Sequence, residues 1–305
     1  MGTTWNPGWK PRGDSKLRAE VAMQFFIDLK NEGLLPIKNR TVFYHLVVKH
    51  LIDKTENGYE VVNKLLTNMR SAGWIPPTGY LLDVGATPPE AWWYSGPDHV
   101  KDLTQSIVNG YTIDRQTGQD WRMLFWLESS GHMMAVKSVA DRYSISVVTN
   151  SRQDSFSLKA DVARYILESG SKTMICHIGD YDGQGLNIFE TIENDIPELV
   201  YGWNAMHGTA YETPSVFATR LALKDLGQVR ALGLEEALGI AKPTDMNRKY
   251  GITQTCEADA IPPQVVRDMA LDAIATNLNR SAYAGMLLQE RQQRRSLKEW
   301  VRKAA

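Results

Sequence analysis

In the stretch MICHIGDYDGQG, residues 174–185, two aspartates stand one residue apart on a glycine-rich turn behind an apolar run. Asp180 and Asp182 repel each other unless a positive charge lies between them. Such oxygen donors suit a divalent ion, magnesium above all, which takes one or two carboxylates, keeps several waters and shares phosphate oxygens. A third carboxylate, Glu128, closes the apolar run RMLFWLE. The alternative is structural: the aspartates form an Asx turn and cap the next helix. A calcium loop does not fit, because the twelfth position counted from Asp180 is Thr191 and not the glutamate such a loop needs.

Carboxylates so far apart in sequence meet only if the fold brings them together. RMLFWLE, SISVVT and TMICHIGD read as strands alternating with the helical stretches GHMMAVKSVADRY, SFSLKADVARYILES and GLNIFETIEND. That alternation predicts crossover units on a parallel sheet, an α/β arrangement whose ligands gather at the carboxyl ends of the strands. Glu128 ends the first strand and Asp180 the third, so the acids are expected on one edge.

Upstream, Asp14 is placed to cap a helix with Leu17, Val21, Phe25 and Leu29 on one face. A second helix from Asn39 carries Phe43, Leu46, Val47, His50 and Leu51 as its core stripe. A third, after TENG, turns Tyr59, Val62, Leu65, Leu66 and Met69 inward, stops at Gly73 and is followed by the strand-like GYLLDV. Three short helices and a hairpin are the make-up of a winged helix, which offers a helix to DNA; a plain helical cap has the same periodicity. The expected division is a winged-helix domain at 1–87, a linker rich in Pro, Gly and Trp at 88–120, and an α/β domain at 121–305 with a C-terminal helical extension. Within it TRLALKDLGQVRALGL reads as helical, and CEADAIPPQVVRDMALDAIATNL as an acidic strand end before a helix. Glu257 and Asp259 read as solvated surface, with membership of the metal site as the alternative.

With 34 basic and 35 acidic residues the net charge is -1, so no global pull toward polyanions exists and any such site must be local. The last sixteen residues, ERQQRRSLKEWVRKAA, are one local excess, with six basic and two acidic side chains. They suit DNA backbone, or simply a solvated helix end. Two cysteines, Cys176 and Cys256, show no metal-ligand spacing and no disulfide framework. No long apolar run or leader-like N-terminus is present, so the expectation is a soluble, cytoplasmic protein.

In order and spacing, WLE, SVVTNSRQDS and IGDYDGQG resemble a Toprim domain, in which a glutamate ends one strand and a DxD pair ends a later one. With RTVFY upstream the chain resembles the A subunit of topoisomerase VI and its meiotic double-strand-break relatives, over roughly residues 35 to 260. A haloacid-dehalogenase phosphatase also has a strand followed by DxDG, but no later acidic pair is found. The resemblance implies a winged helix whose R-x-x-[FY]-Y tyrosine, here Tyr44, attacks DNA to form a phosphotyrosyl ester. It also implies a Toprim site, here Glu128, Asp180 and Asp182, that holds Mg²⁺, with Mn²⁺ a possible substitute. A phenol with a pKa of about 10 needs help at neutral pH. Arg40, four residues before Tyr44, shares its helical face and could stabilise a phenolate or grip the scissile phosphate. His45 points about 100° away. Tyr44 reads as partly exposed, so that losing its hydroxyl costs little stability, or as a residue whose ring half-packs under the wing.

The same resemblance implies double-stranded DNA as partner, met by Arg70, Arg152, Arg294 and Arg295. It further implies a homodimer in which each tyrosine serves the other protomer's acidic site, and a separate ATPase B subunit, since no Walker-type loop is found. The departures are Ser129 where a lysine often follows the glutamate, Gly183 where the family has proline, and no glycines in NSRQDS. Two functions stand side by side: a DNA-cleaving transesterase using Tyr44, and a metal-dependent Toprim nuclease or non-cutting DNA-binding protein in which Tyr44 is structural.

Overall fold

Helix α1 (Asp14–Asn31) begins at Gly13 without a side-chain cap, so Asp14 is its first residue and caps nothing. It buries Ala19, Ala22, Phe25, Phe26 and Leu29, while Leu17 is half exposed. The stripe is thus rotated from the expected one toward Phe26, whose ring removes more apolar surface from water than Leu17 would. The computed structural model describes residues 6, 8–76, 78–82, 97–149, 156–207 and 212–304.

Helix α2 (Asn39–Val48) starts where expected but stops before His50 and Leu51. His50 takes a left-handed conformation with φ 55°. The His50 N–H donates to the Val47 carbonyl and the Leu51 N–H to the Leu46 carbonyl, which closes the helix in a Schellman motif. Helix α3 (Glu56–Ser71) is capped by Thr55, which accepts from the Gly58 N–H, and buries Val62, Leu65, Leu66 and Met69 as expected. After it a parallel bridge pairs Leu81 with Ile37. The rest of the expected hairpin lies outside the described residues. Helix α4 (Pro97–Gly110) then occupies much of what the sequence reading placed in a linker, and it buries Val108.

The sheet is all parallel, in the order β2-β1-β3-β4. Its elements are β1 (Arg122–Leu127), α5 (Met133–Ala140), β2 (Ser146–Thr149), α6 (Phe156–Ser169), β3 (Thr173–Ile178), α7 (Gly183–His207) and β4 (Val216–Ala222). Strand β4 corrects the expectation of a helix from Thr219 onward. Its buried positions are Ala218, Arg220 and Ala222 while Phe217 is exposed, so its alternation carries no apolar signal. Beyond it come α8 (Leu226–Ala231), the two-residue strands β5 (Gly239–Ile240) and β6 (Gln254–Thr255) flanking α9 (Asp245–Lys249), and helices α10 (Pro263–Asn277) and α11 (Arg280–Ala304).

Both sheet faces are covered, which explains the unbroken apolar run of β1. Met123, Phe125 and Leu127 join a cluster containing the buried faces of α1, α2, α3, α5 and α10. Leu124 and Trp126 face a second cluster with Val162 and Ile166 of α6 and Ile188 and Ile192 of α7. No helix among the described residues is long and apolar enough to cross a membrane.

His45 of α2 stacks on Phe25 with ring centroids 3.9 Å apart. Burial, with Lys49 adding to it and Asp28 opposing, lowers its pKa to about 4. The unfolded chain therefore takes up a proton between the ordinary value and about pH 4 that the folded chain refuses, and stability falls as pH falls through this window. His45→Phe keeps the stack and removes that proton. Its stability should fall less steeply below pH 6.5 than that of the parent in urea titrations, by up to about 1.4 kcal/mol per pH unit; identical slopes would refute the buried neutral ring.

Candidate metal and nucleophile site

Strands β1 and β3 are parallel neighbours with Leu127 opposite Ile178, so Glu128 and the Gly179–Asp180 turn leave the sheet side by side. The Asp180 N–H donates to Glu128 Oε2 at 3.1 Å. The glycines make this approach possible: a Cβ on Gly179 would collide with Glu128 Oε1, and one on Gly185 with the Asp180 carbonyl. Burial pushes Glu128 up to about 7, with Asp182 adding to the rise and the Asp180 N–H and Arg220 opposing it. Asp180 is pushed up to about 8, by burial first and then by Glu128, Glu257 and Asp182. Its Oδ1 accepts from the Ala258 N–H at 2.7 Å. Asp182 Oδ1 accepts from the Gly185 N–H at 2.7 Å and caps α7, so the capping alternative describes Asp182 while its charge still acts on both neighbours.

Part of the positive charge that this crowding demands comes from the protein. Arg220 of β4 is buried and donates to the carbonyls of Gly185 at 3.0 Å, Gly179 at 3.2 Å and Asp180. Its guanidinium lies behind the acidic turn rather than in front of it. Glu128 Oε1 remains buried without a hydrogen bond; His177 Nε2 stands 3.0 Å away but is not aligned to donate. Burial, helped by Arg220, holds the His177 pKa well below its ordinary value, so the ring stays neutral. Among the described residues no group of three His, Cys, Asp or Glu side chains could by itself hold a metal ion. An orphaned carboxylate oxygen beside a second, mostly buried carboxylate fits an ion that needs only one or two carboxylates.

Tyr44 is 1% exposed, against the expected partial exposure, because it belongs to the α2 core face and Phe43, itself packed on Tyr59, lies against its ring. Its hydroxyl lies beside Arg40 and Glu257, whose charges act on it. Burial and the Glu257 charge raise the phenol far above its ordinary pKa, and Arg40 works the other way. The expected pairing of Arg40 with Tyr44 is present, but Arg40 also grips Glu257 through two nitrogens. These groups, with Lys54, Thr55, Glu56 and Tyr59, line a cavity of about 370 Å³. Lys54 Nζ lies 5.5 Å over the Tyr44 ring.

Glu257 and Asp259 are not the solvated pair the sequence reading expected. Glu257 meets Arg40, and buried Asp259 accepts from Ser129 Oγ, which in turn accepts from Lys38 Nζ at 2.9 Å. An ammonium thus reaches Ser129, where the resembled family carries lysine, from a distant part of the chain. Gly183, which stands where the resembled family has proline, donates its N–H to Asn247 Oδ1 at 2.6 Å, and a Cβ there would collide with Met246 and Asn247 of α9. Gly183→Ala should therefore cost about 1–3 kcal/mol by overpacking; an unchanged urea midpoint would remove α9 as the reason for the glycine.

The candidate DNA contacts do not gather at this edge. Arg70 is half-buried and directs a nitrogen at the Leu81 carbonyl at 3.5 Å. Arg294 bonds the Tyr111 carbonyl and buried Glu290, while Arg295 is exposed. Arg152 lies outside the described residues. Sequence reasoning missed Arg220, Lys38, Lys54 and Asn247, which sit in no motif and come from elements remote from the acids, and it passed over His177, which stands three residues before Asp180 in the same stretch but reads there as one member of a buried strand. Comparison with protein-family models, with curated proteins and with solved structures gives no match.

Proposed function

We propose that the chain is a magnesium-dependent DNA-cleaving transesterase similar to the topoisomerase VI A subunit, with α1–α3 as the winged-helix part and the sheet as the Toprim part. One observation carries the reading: two mostly buried carboxylates, Glu128 with an unbonded oxygen and Asp180, crowd the carboxyl edge of a parallel sheet. Glu128 and Asp180 would hold the ion, with Asp182 beside them. Magnesium there, or manganese in its place, would offset charge developing on the phosphate and on the leaving oxygen.

Tyr44 is the nucleophile in this reading and Arg40 the group that favours its phenolate. Glu257 is the acceptor that holds Arg40 until a phosphate competes for it. The Arg40–Glu257 pair and the Ala258–Asp180 bond join α2 to the acidic edge within one chain. We therefore place nucleophile and metal in one chain, and a twofold dimer would present two such sites to the two strands of a duplex. An ATPase partner would act on that dimer.

The burial of Tyr44 favours a second reading, in which water attacks and the tyrosine is structural. Incubation with supercoiled plasmid and Mg²⁺, followed by denaturation with and without protease, separates the two. Protein covalently attached to cut DNA supports the transesterase; cut DNA free of protein supports the nuclease, and intact plasmid defeats both.

A further inference from the structure

Helix α11 carries a feature that the acidic edge does not use. Arg291, Arg295, Lys298 and Arg302 are spaced four, three and four residues apart and are all exposed. At 100° per residue they fall on one narrow stripe about 16 Å long. Among the described residues none of the four is held in an ion pair. Arg294 lies off this stripe and is occupied by Glu290 and the Tyr111 carbonyl. The last sixteen residues hold +4 in a chain of net -1, which leaves -5 on the rest.

The stripe sits far from the acids. The start of α11 bonds Gln119 through Asn279, and Tyr283 donates to the Arg142 carbonyl. Further along, Glu290 takes Arg115 through two oxygens. Residues 115–119 precede β1 and Arg142 precedes β2, so α11 lies at the amino end of the sheet, while Glu128 and Asp180 lie at its carboxyl end. A six-residue strand separates the two ends by about 20 Å.

We propose that the outer face of α11 is a second binding surface, for the phosphate backbone of duplex DNA, separate from the acidic edge. Point charges in a row on a rigid helix match a regular line of phosphates, and contacts of that kind position a protein on the duplex without carrying sequence information. A helix lying on a membrane would need an apolar face beside its cations. Here the neighbours Gln292, Ser296 and Glu299 are polar, exposed Leu288 precedes the stripe, exposed Trp300 stands on the opposite side of the helix from it, and the inward face is packed on the protein through Tyr283, Glu290 and Arg294. The surface does not depend on metal chemistry.

The test is the affinity of the full chain for a fluorescent random-sequence duplex between about 50 and 200 mM salt. Changing Arg291, Arg295, Lys298 and Arg302 together to Gln should make the slope of log affinity against log salt shallower by up to about 3.6, at about 0.9 per phosphate. Changing the three arginines to lysine should keep the parent slope, and unchanged circular dichroism shows that the variants fold. The titrations are run in EDTA without divalent ions, so failure of the metal reading and failure of this one are told apart. A change smaller than about 2 in the fourfold variant overturns the proposal. So does binding of the parent to phosphatidylserine vesicles without binding to the duplex.

Discussion

At a hundredfold excess of magnesium over its dissociation constant the protein should gain about 2.7 kcal/mol of stability, and Asp180→Asn should abolish that gain. The two acids crowd each other without an ion, since burial and the Glu128 charge both push Asp180 up to about 8. Asparagine keeps the shape and the acceptor for the Ala258 N–H while removing one repelling charge. The metal-free variant is therefore expected to be more stable than the metal-free parent, and the order should reverse once the ion is added. Calorimetry with and without Mg²⁺ reads both signs. A parent indifferent to millimolar Mg²⁺ and Mn²⁺ would remove the metal from the site.

Tyr44→Phe should eliminate covalent capture of DNA altogether. Because the hydroxyl is buried beside Arg40 and Glu257, the change should also cost about 0.5–1.5 kcal/mol, where a solvent-facing hydroxyl would cost almost nothing. Cleavage that persists without the adduct would assign the attack to water. Mixing Tyr44→Phe with Asp180→Asn bears on the architecture. With both groups in one chain the mixture should form no hybrid site, and plasmid should stay intact although subunits exchange. Nicked plasmid would show that the site is built across two chains.

The parallel strands were legible because burial on both faces writes an unbroken apolar run into β1 and a mostly apolar one into β3, with a carboxylate close behind each. Helices α2 and α3 were legible from their stripes, and only the end of α2 was misplaced, since nothing in His50 announces a left-handed residue. Strand β4 was illegible: its inward residues are two alanines and an arginine, the reverse of the pattern that marks a strand. Arg220 went unread for the same reason, although it backs the acidic turn. The capping role of Asp182 was weighed against metal binding as if one excluded the other, whereas the turn lets the residue cap a helix and still load its neighbours with charge. The depth of Tyr44 could not be read from α2 alone, because part of what holds it, Glu257, comes from the far end of the chain.

A single buried cluster runs from Ala19 in α1 through Phe125 in β1 to Ile274 in α10. Residues from 121 onward, made alone, would turn that face toward water and should aggregate rather than fold, so the two halves melt in one transition. Heredity meets the same constraint. A lineage could not trade the helical part for another DNA-reading module as loosely tethered domains are traded, because each exchange would have to repack the side of the sheet that also carries the acids. Variation in how such a chain meets DNA should accumulate instead on surfaces that the shared core does not own, and the outer face of the last helix is one of them.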